Sequence, residues 1–365
     1  MITEDLLNKF QKETMSAMKL QDQLLEITQE NFDSIQSELL AIDFSNKKML
    51  LRILLILNSI IYARPLNIPL YCKILNALGS IISKYFEPYE LASILDNKSA
   101  LLVLLELKLI NSNFIIQKFD GNQLDINFFF PEIPSAKKPK NIKSFQNDEY
   151  RSMGQNEDEI AVIIRNDNVA SLSKMIRLNP SLLNATIRSS RYETFDFGTH
   201  FGKRPSLIEY SAFFASLECF KFLLDSNASV TDTTPEFAVA GGNIEIIHRL
   251  EALPELEFSQ ECVQASVEFF RPELFEYFTS TKGIEHSIFD VFDAITHFNF
   301  ELFGDLISIP DLQTVENLNK CLFVAVESQN IDVIEFLLHI DCVDINSKTD
   351  YGISLFLFLM ILHCL

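Results

Sequence analysis

Residues 234–250 read TPEFAVAGGNIEIIHRL, and this stretch decides the fold. It contains two short apolar patterns separated by Gly241 and Gly242. In the second pattern the acid Glu245 is followed by apolar residues one, two and five positions later, which is the spacing of one helix face. A short helix with one apolar face must bury that face against a neighbour. The stretch therefore predicts a pair of helices that packs against further pairs.

The same arrangement occurs five times at a nearly constant period. The equivalent acids follow one another at intervals of 27, 28, 28 and 31 residues: Glu218, Glu245, Glu273, Glu301 and Asp332. Seven positions before each acid stands a small residue: Ser211, Ala238, Ser266, Ala294 and Ala325. That offset predicts a small residue on the first helix, where the two helices of a unit cross closely. Each acid is expected in the first turn of a second helix, where the helix dipole favours negative charge.

This repeat resembles the ankyrin repeat. Residues 234–247 match the family's T-P-L-H-x-A-A, G-H/N and I/V-E-I/V-V motifs, and residues 325–338 match the second half of the unit. The resemblance covers residues 158–355, but the period is shorter than the family's ~33 residues. About 20 extra residues, 180–203, follow a faint first copy. Degenerate, Phe- and Ile-rich repeats behind a helical N-terminal half are similar to the ankyrin-like sets that are expanded in parasitic protists and grouped under a domain of unknown function.

The predicted fold class is all-α, with a helical N-terminal region and a degenerate ankyrin-type solenoid. Residues 1–130 form the predicted N-terminal domain, because their apolar residues step by threes and fours. Residues 131–157 contain three prolines and few hydrophobic residues, which predicts a linker. About six repeats are predicted in 158–365. The last one is incomplete, because the apolar segment 353–365 has no second helix after it. We expect that segment to be capped by another chain or to result from truncation.

Composition excludes several classes of protein. The 365 residues include 30 Lys and Arg against 50 Asp and Glu, a net charge of −20, which argues against nucleic-acid binding. Six scattered cysteines predict a reduced, cytoplasmic protein without a disulfide framework. The apolar runs 49–62 and 100–110 are shorter than the ~20 residues that span a bilayer, so no membrane span is expected. The cluster Lys137-Lys138-Pro139-Lys140 resembles a nuclear-import motif, and its role stays open.

The sequence contains no complete catalytic or metal-binding motif. Residues 198–204 are one residue short of a phosphate-binding loop and carry Arg204 where the hydroxyl that binds Mg²⁺ belongs. The six histidines show no zinc-ligand spacing. We therefore expect no catalytic residue, cofactor, metal or small-molecule substrate, and a non-catalytic protein-interaction scaffold as the function. Two alternatives stay open: an enzyme or regulator with a site in the N-terminal half, and a truncated product without independent function.

The resemblance also implies where a partner binds. In ankyrin-type units the positions eight, five and four residues before the acid face the concave groove. The partner-binding residues expected from these positions are Tyr210, Phe213, Phe214, Phe237, Glu268, Phe269, Asp293, His297 and Glu327. Exposed aromatic residues would anchor a partner, and the carboxylates of the later repeats would favour a partner protein with a basic segment. The alternative is that several of these phenylalanines belong to the core.

Overall fold

The computed structural model describes residues 2–133 and 148–347. Within those ranges the chain is helical and contains no strand, only one isolated antiparallel bridge between Thr186 and Ser206. The all-α prediction is confirmed. Residues 134–147 of the predicted linker and the apolar segment 353–365 lie outside the described residues.

The described residues of the N-terminal part, 2–133 and 148–153, form nine helices of very different length. Their bounds are α1 (Glu4–Leu25), α2 (Phe32–Leu40), α3 (Lys47–Ala63), α4 (Ile68–Tyr85), α5 (Pro88–Ile94), α6 (Lys98–Glu106), α7 (Ser112–Lys118), α8 (Gln123–Phe128) and α9 (Asp148–Met153). Short 3₁₀ turns lie at Pro65–Asn67 and Phe130–Glu132.

The C-terminal part contains six helix pairs within the described residues. The pairs are α10 (Glu159–Arg165) with α11 (Val169–Leu178), α13 (Leu207–Phe213) with α14 (Leu217–Asp225), α15 (Thr234–Gly241) with α16 (Ile244–Glu251), α17 (Gln260–Glu268) with α18 (Pro272–Glu276), α19 (Ile288–Thr296) with α20 (Phe300–Ile307), and α21 (Val315–Glu327) with α22 (Ile331–Leu338). Helix α12 (Phe197–Phe201) lies between the first two pairs, 3₁₀ turns lie at Pro180–Leu182 and Pro310–Leu312, and a π-helical turn, Tyr277–Thr281, follows α18.

The two helices of each pair are joined by the same turn. One residue in the left-handed conformation, with φ between 48° and 75°, precedes the second helix: Asp167, Ala215, Gly242, Phe270, Phe298 and Gln329. In five pairs the N–H of the next residue donates to the carbonyl five positions earlier, for example from Ser216 to Ser211 and from Asn330 to Ala325, both at 2.8 Å. This is the 6→1 hydrogen bond that ends many helices.

The column of small residues coincides with the acceptor of this hydrogen bond in four of the pairs. The acceptor carbonyl belongs to Ser211, Ser266, Ala294 or Ala325, the residue seven positions before the acid, and Ala238 accepts from Gly242 at 2.9 Å. All five are buried in the last turns of the first helices. The predicted location of this column on the first helix is confirmed, as is that of the five acids in the first turn of the second helices.

One compact unit comprises Met1–Ala63, Lys73–Asp96 and Glu285–Leu365. Its described part has an aromatic centre in which the Phe10 ring of α1 lies 5.3 Å from Phe303 and 5.1 Å from Phe336. The Gln21 side chain donates to the Phe298 carbonyl at 3.0 Å, which satisfies a buried amide. The long apolar stripe of α1 is therefore buried against the second helices α20 and α22.

The other compact unit comprises Arg64–Cys72 and Asn97–Ile284. Its first helices α10, α13, α15 and α17 contact one another in succession, and so do the second helices α11, α14 and α16. Helices α13 and α15 approach so closely that a Cβ added at Gly241 would lie 2.1 Å from the carbonyl oxygen of Ala212. Arg271 donates to the carbonyls of Ala240 and Gly241, which caps the end of α15.

The compact units group the residues differently from the predicted division into domains at 130 and 157, which stays a prediction. Residues 1–63 belong with the last two helix pairs, whereas residues 97–133 belong with the first four. The physical reason is long-range packing, because the apolar face of α1 packs on α20 and α22, near the other end of the sequence. The composition of a linker does not reveal such contacts.

Candidate interaction surface

The structure separates the nine predicted partner-binding residues into two groups. Tyr210, Phe213, Phe237 and Phe269 are buried, with exposed fractions of 0%, 6%, 0% and 1%. Their assignment as exposed anchors is therefore corrected, and the alternative that these aromatic residues are core is the one observed. Phe214 and Glu268 belong to the same unit. Phe214 is half-buried, and so is Glu268.

The cover over these residues comes from the chain itself. We call residues 191–203 the strap. Its Phe201 ring lies 3.9 Å from the ring of Phe237 and its Phe195 ring 4.6 Å from that of Phe213. Phe197 lies 5.7 Å from Tyr210. The first-helix face of α13, α15 and α17 is thus occupied by aromatic side chains of the strap.

The strap belongs to the extra residues between α11 and α13. The bridge between Thr186 and Ser206 brings the two ends of this insertion together, so the residues between them form a closed loop. Asp196 caps the short helix α12, and Gly202 ends it with φ at 68°. The sequence shows the aromatic spacing of this insertion. It does not show on which side of the helix pairs the insertion folds.

A buried polar network fixes the first part of the strap. The Tyr210 hydroxyl donates to Glu193 at 2.9 Å and accepts from Arg165 at 2.6 Å, and the Asn156 side chain donates to Glu193 at 3.0 Å. Burial raises the pKa of Glu193, although these hydrogen bonds and the Arg165 charge act in the opposite direction. Burial also raises the pKa of Tyr210 well above its usual value. The network links the strap to α10 and α13.

Polar contacts hold the far end of the strap. His200 Nδ1 contacts Glu268 Oε1, and Lys203 Nζ lies 2.7 Å from the buried carboxylate of Glu209. The charge of Lys203 also lowers the pKa of the half-buried Glu236, but by less than other effects raise it. Burial, and secondarily the charge of Glu261, raise the pKa of Glu236 to about 7. This carboxyl is therefore partly protonated near neutral pH.

The second group of predicted residues lies in the other unit, on a surface that the described residues bury only in part. Asp293 on α19 and His297 directly after it are half-buried, and Glu327 is exposed on α21, the first helix that packs beside α19. Their positions before the acids Glu301 and Asp332 correspond to those of the buried aromatic residues.

Two aromatic residues extend this surface, and the repeat register did not predict them. Phe289, Phe292, Asp293, Thr296 and His297 follow a spacing of three and four, which places them on one face of α19. The Phe289 side chain is 59% exposed, and its ring lies 5.8 Å from that of Phe292. Together with Val324 and Glu327 of α21, these residues define what we call the open face. The signal for Phe289 was its helical spacing to Asp293.

Reactive groups are sparse elsewhere in the described ranges. No group of three or more His, Cys, Asp or Glu side chains within residues 2–133 and 148–347 is arranged to hold a metal ion. Burial raises the pKa of the Cys262 and Cys321 thiols to about 12, so these thiols are protonated at neutral pH and are poor nucleophiles.

One segment of the described chain, Pro65–Tyr85, is long and apolar enough to cross a membrane. With 44% of its most apolar window buried in the protein, it is weak evidence for a span, since core helices pass the same test. Comparison with known proteins found no match for this chain among protein-family models, curated proteins or solved structures.

Proposed function

We propose that this chain is a non-catalytic, cytoplasmic protein-interaction scaffold built from degenerate ankyrin-type helix pairs. The observation that carries the proposal is the open face, where the exposed Phe289 lies beside the half-buried Phe292 on α19 and carboxylates lie on the adjacent first helices α19 and α21. The repeated left-handed turn and the successive contacts between first helices support the ankyrin-type solenoid. Such stacks are used for binding through extended surfaces.

Phe289 and Phe292 supply the anchor of the proposed interface. Large aromatic side chains contribute much of the binding energy in protein interfaces when a partner removes them from water. Phe289 is 59% exposed and lies beside the ring of Phe292. Its burial by a partner would therefore contribute binding free energy.

The charge of the open face indicates the chemistry of the partner. Asp293 and Glu327 contribute carboxylates, and the basic Lys320 on α21 is paired with Glu316 at 2.6 Å. The whole chain carries a net charge of −20. We therefore propose a protein partner with a Lys- or Arg-bearing segment that also presents an apolar residue to Phe289. Charge complementarity of this kind mainly accelerates association.

The experiment begins with affinity purification from the source cell and continues with the recovered partner in purified form. Replacing both Phe289 and Phe292 with Ser should weaken binding by about 10- to 100-fold. Replacing Asp293 with Asn and Glu327 with Gln should slow association and reduce its dependence on salt.

The matched control is Leu178→Ser, because Leu178 is also an exposed apolar residue, 79% exposed, but lies on α11 in the other unit. This control should bind the partner as the unchanged chain does. Full affinity of the double Phe variant for the purified partner would exclude the open face as the binding site.

A further inference from the structure

The face covered by the strap corresponds in register to the open face. Tyr210 and Phe237 stand eight positions before the acids of their second helices, as Asp293 and Val324 do in the other unit. Among the described residues, the same kind of helix surface is therefore partly exposed in one unit and occupied by the chain's own side chains in the other.

We infer that the strap is an internal ligand: residues 195–201 occupy a groove that also binds an external protein segment with the same aromatic pattern, once the strap is displaced. The inference rests on the proposed function, because it takes the chain to be a protein binder. It concerns a different surface and can fail separately.

The aromatic side chains of the strap pack on a shared set of aromatic rings on the first helices and the turns that follow them. Phe195 packs on Phe213, and Phe201 stacks on Phe237 with the rings 20° from parallel. The same Phe201 ring lies 5.9 Å from Phe269, nearly parallel to it. Three such contacts from a single short segment resemble the anchoring of a bound peptide in a groove.

A polar contact adds specificity to this pattern. His200, the residue directly before Phe201, contacts the Glu268 carboxylate. The groove therefore fits a segment with aromatic residues at positions one, three and seven, and with a side chain that can donate to Glu268 at position six. The strap reads F-x-F-x-x-H-F over residues 195–201.

The helix pairs also contact one another directly, without the strap between them. Helices α13, α15 and α17 contact one another directly, and their turns are closed by their own hydrogen bonds, such as the one from Arg271 to Ser266 at 2.8 Å. The strap contributes only the five-residue helix α12, and the bridge between Thr186 and Ser206 lies outside its residues 191–203. It can therefore leave as a loop while the pairs stay packed.

The first test is hydrogen exchange of the unchanged full chain. Because the strap opens as a loop, the amides of residues 197–201 should exchange at least about tenfold faster than those in the centres of α13 and α15. Equal protection of strap and helices would mean that they open together, which would overturn the inference.

The second test uses the full chain with Phe197→Ser and Phe201→Ser, and a fluorescent synthetic peptide of residues 191–203. Fluorescence anisotropy should show that this variant binds the peptide at least about tenfold more tightly than the unchanged chain, whose own strap competes at millimolar effective concentration. A peptide carrying the same two replacements should not bind.

Two outcomes would overturn the inference. One is a variant that melts cooperatively but does not bind the peptide, and the other is a variant that does not fold, because the strap would then be an integral part of the core. The Phe289→Ser variant separates this test from the proposed function. Placed in the same strap-defective chain, it should leave peptide binding unchanged, whatever its effect on the natural partner.

Discussion

The guanidinium of Arg52 in α3 hydrogen-bonds both carboxylate oxygens of Asp332 in α22, across 280 residues of sequence. Both side chains are about nine-tenths buried, and Lys48 of the same helix lies 3.6 Å from Asp332. The acids at this position in the earlier pairs, such as Glu218 and Glu245, are exposed. The last acid of the series instead attaches an N-terminal helix.

Arg52→Ala should lower the free energy of unfolding by about 2–3 kcal/mol, because it leaves the buried Asp332 carboxylate without its main partner. The double change Arg52→Met with Asp332→Leu should recover most of that loss, since no buried charge remains. Urea denaturation measures both. Lys320→Ala, which breaks an exposed pair, is the control and should cost less than about 0.5 kcal/mol. A stable Arg52→Ala chain would show that the pair contributes little.

Ala325→Leu should destabilise the chain by about 1–3 kcal/mol, because Ala325 is fully buried and overpacking forces the neighbours apart. The matched control is Ala170→Leu, at an exposed position on α11, which should change stability by less than about 0.5 kcal/mol. Thermal melting of the two variants gives the comparison. Equal melting temperatures would argue against a crowded crossing between the helices of a pair.

Gly242→Ala should destabilise the chain more than Gly121→Ala. Both glycines have positive φ, 75° and 84°, so each change carries a similar backbone cost of about 1 kcal/mol. Only at Gly242 would the new Cβ meet a side chain, 2.5 Å from Arg271 Nε, whereas nothing lies within 4 Å at Gly121. Displacing Arg271 from the Ala240 carbonyl should cost a further ~1–2 kcal/mol in denaturant titrations. An equal loss at both sites would contradict this.

Glu236→Gln should change how stability depends on pH. The pKa of Glu236 is raised to about 7 in the folded chain, above its unfolded value, so the folded state binds the proton more tightly. Its contribution to stability is present below pH ~4.5 and is lost as the pH rises through about 7. The variant should therefore be more stable than the unchanged chain at pH 8, by about 1 kcal/mol after allowance for solvent screening.

The control for this pH dependence is Glu245→Gln. Glu245 is an exposed acid whose pKa is lowered by its hydrogen bond from Lys221 and further by the nearby Arg249. Its replacement should give no gain at pH 8. Chemical denaturation at pH 5 and pH 8 is the measurement, and an identical pH profile for Glu236→Gln and the unchanged chain would refute the prediction.

The local repeat was accessible from the sequence because it depends on neighbouring residues. The acid at Glu245, the small residue at Ala238 and the turn between them lie within one helix pair, where periodicity reports directly on packing. The same register predicted which side chains of the first helices face outward from the pair. It did not reveal that Phe213 and Phe237 are covered.

The remaining features depend on contacts between distant segments. Phe10 contacts Phe336, and Arg52 contacts Asp332, within the first compact unit. No sequence motif links the two members of either pair. The same holds for the insertion. Nothing in the sequence around Phe201 indicates that its ring packs on Phe237. Surface predictions made from repeat register alone therefore fail where an insertion returns to the same surface.

The turn shared by the six described helix pairs also determines where the chain tolerates inserted residues. One added residue inside the turn would disrupt its 6→1 hydrogen bond and change the direction in which the second helix leaves the turn. Between pairs, added residues cost mainly the slowly increasing entropy of a longer loop. The connection at residues 179–206 shows this tolerance. Evolution can therefore test new binding segments at the joints between pairs without rebuilding the pairs themselves.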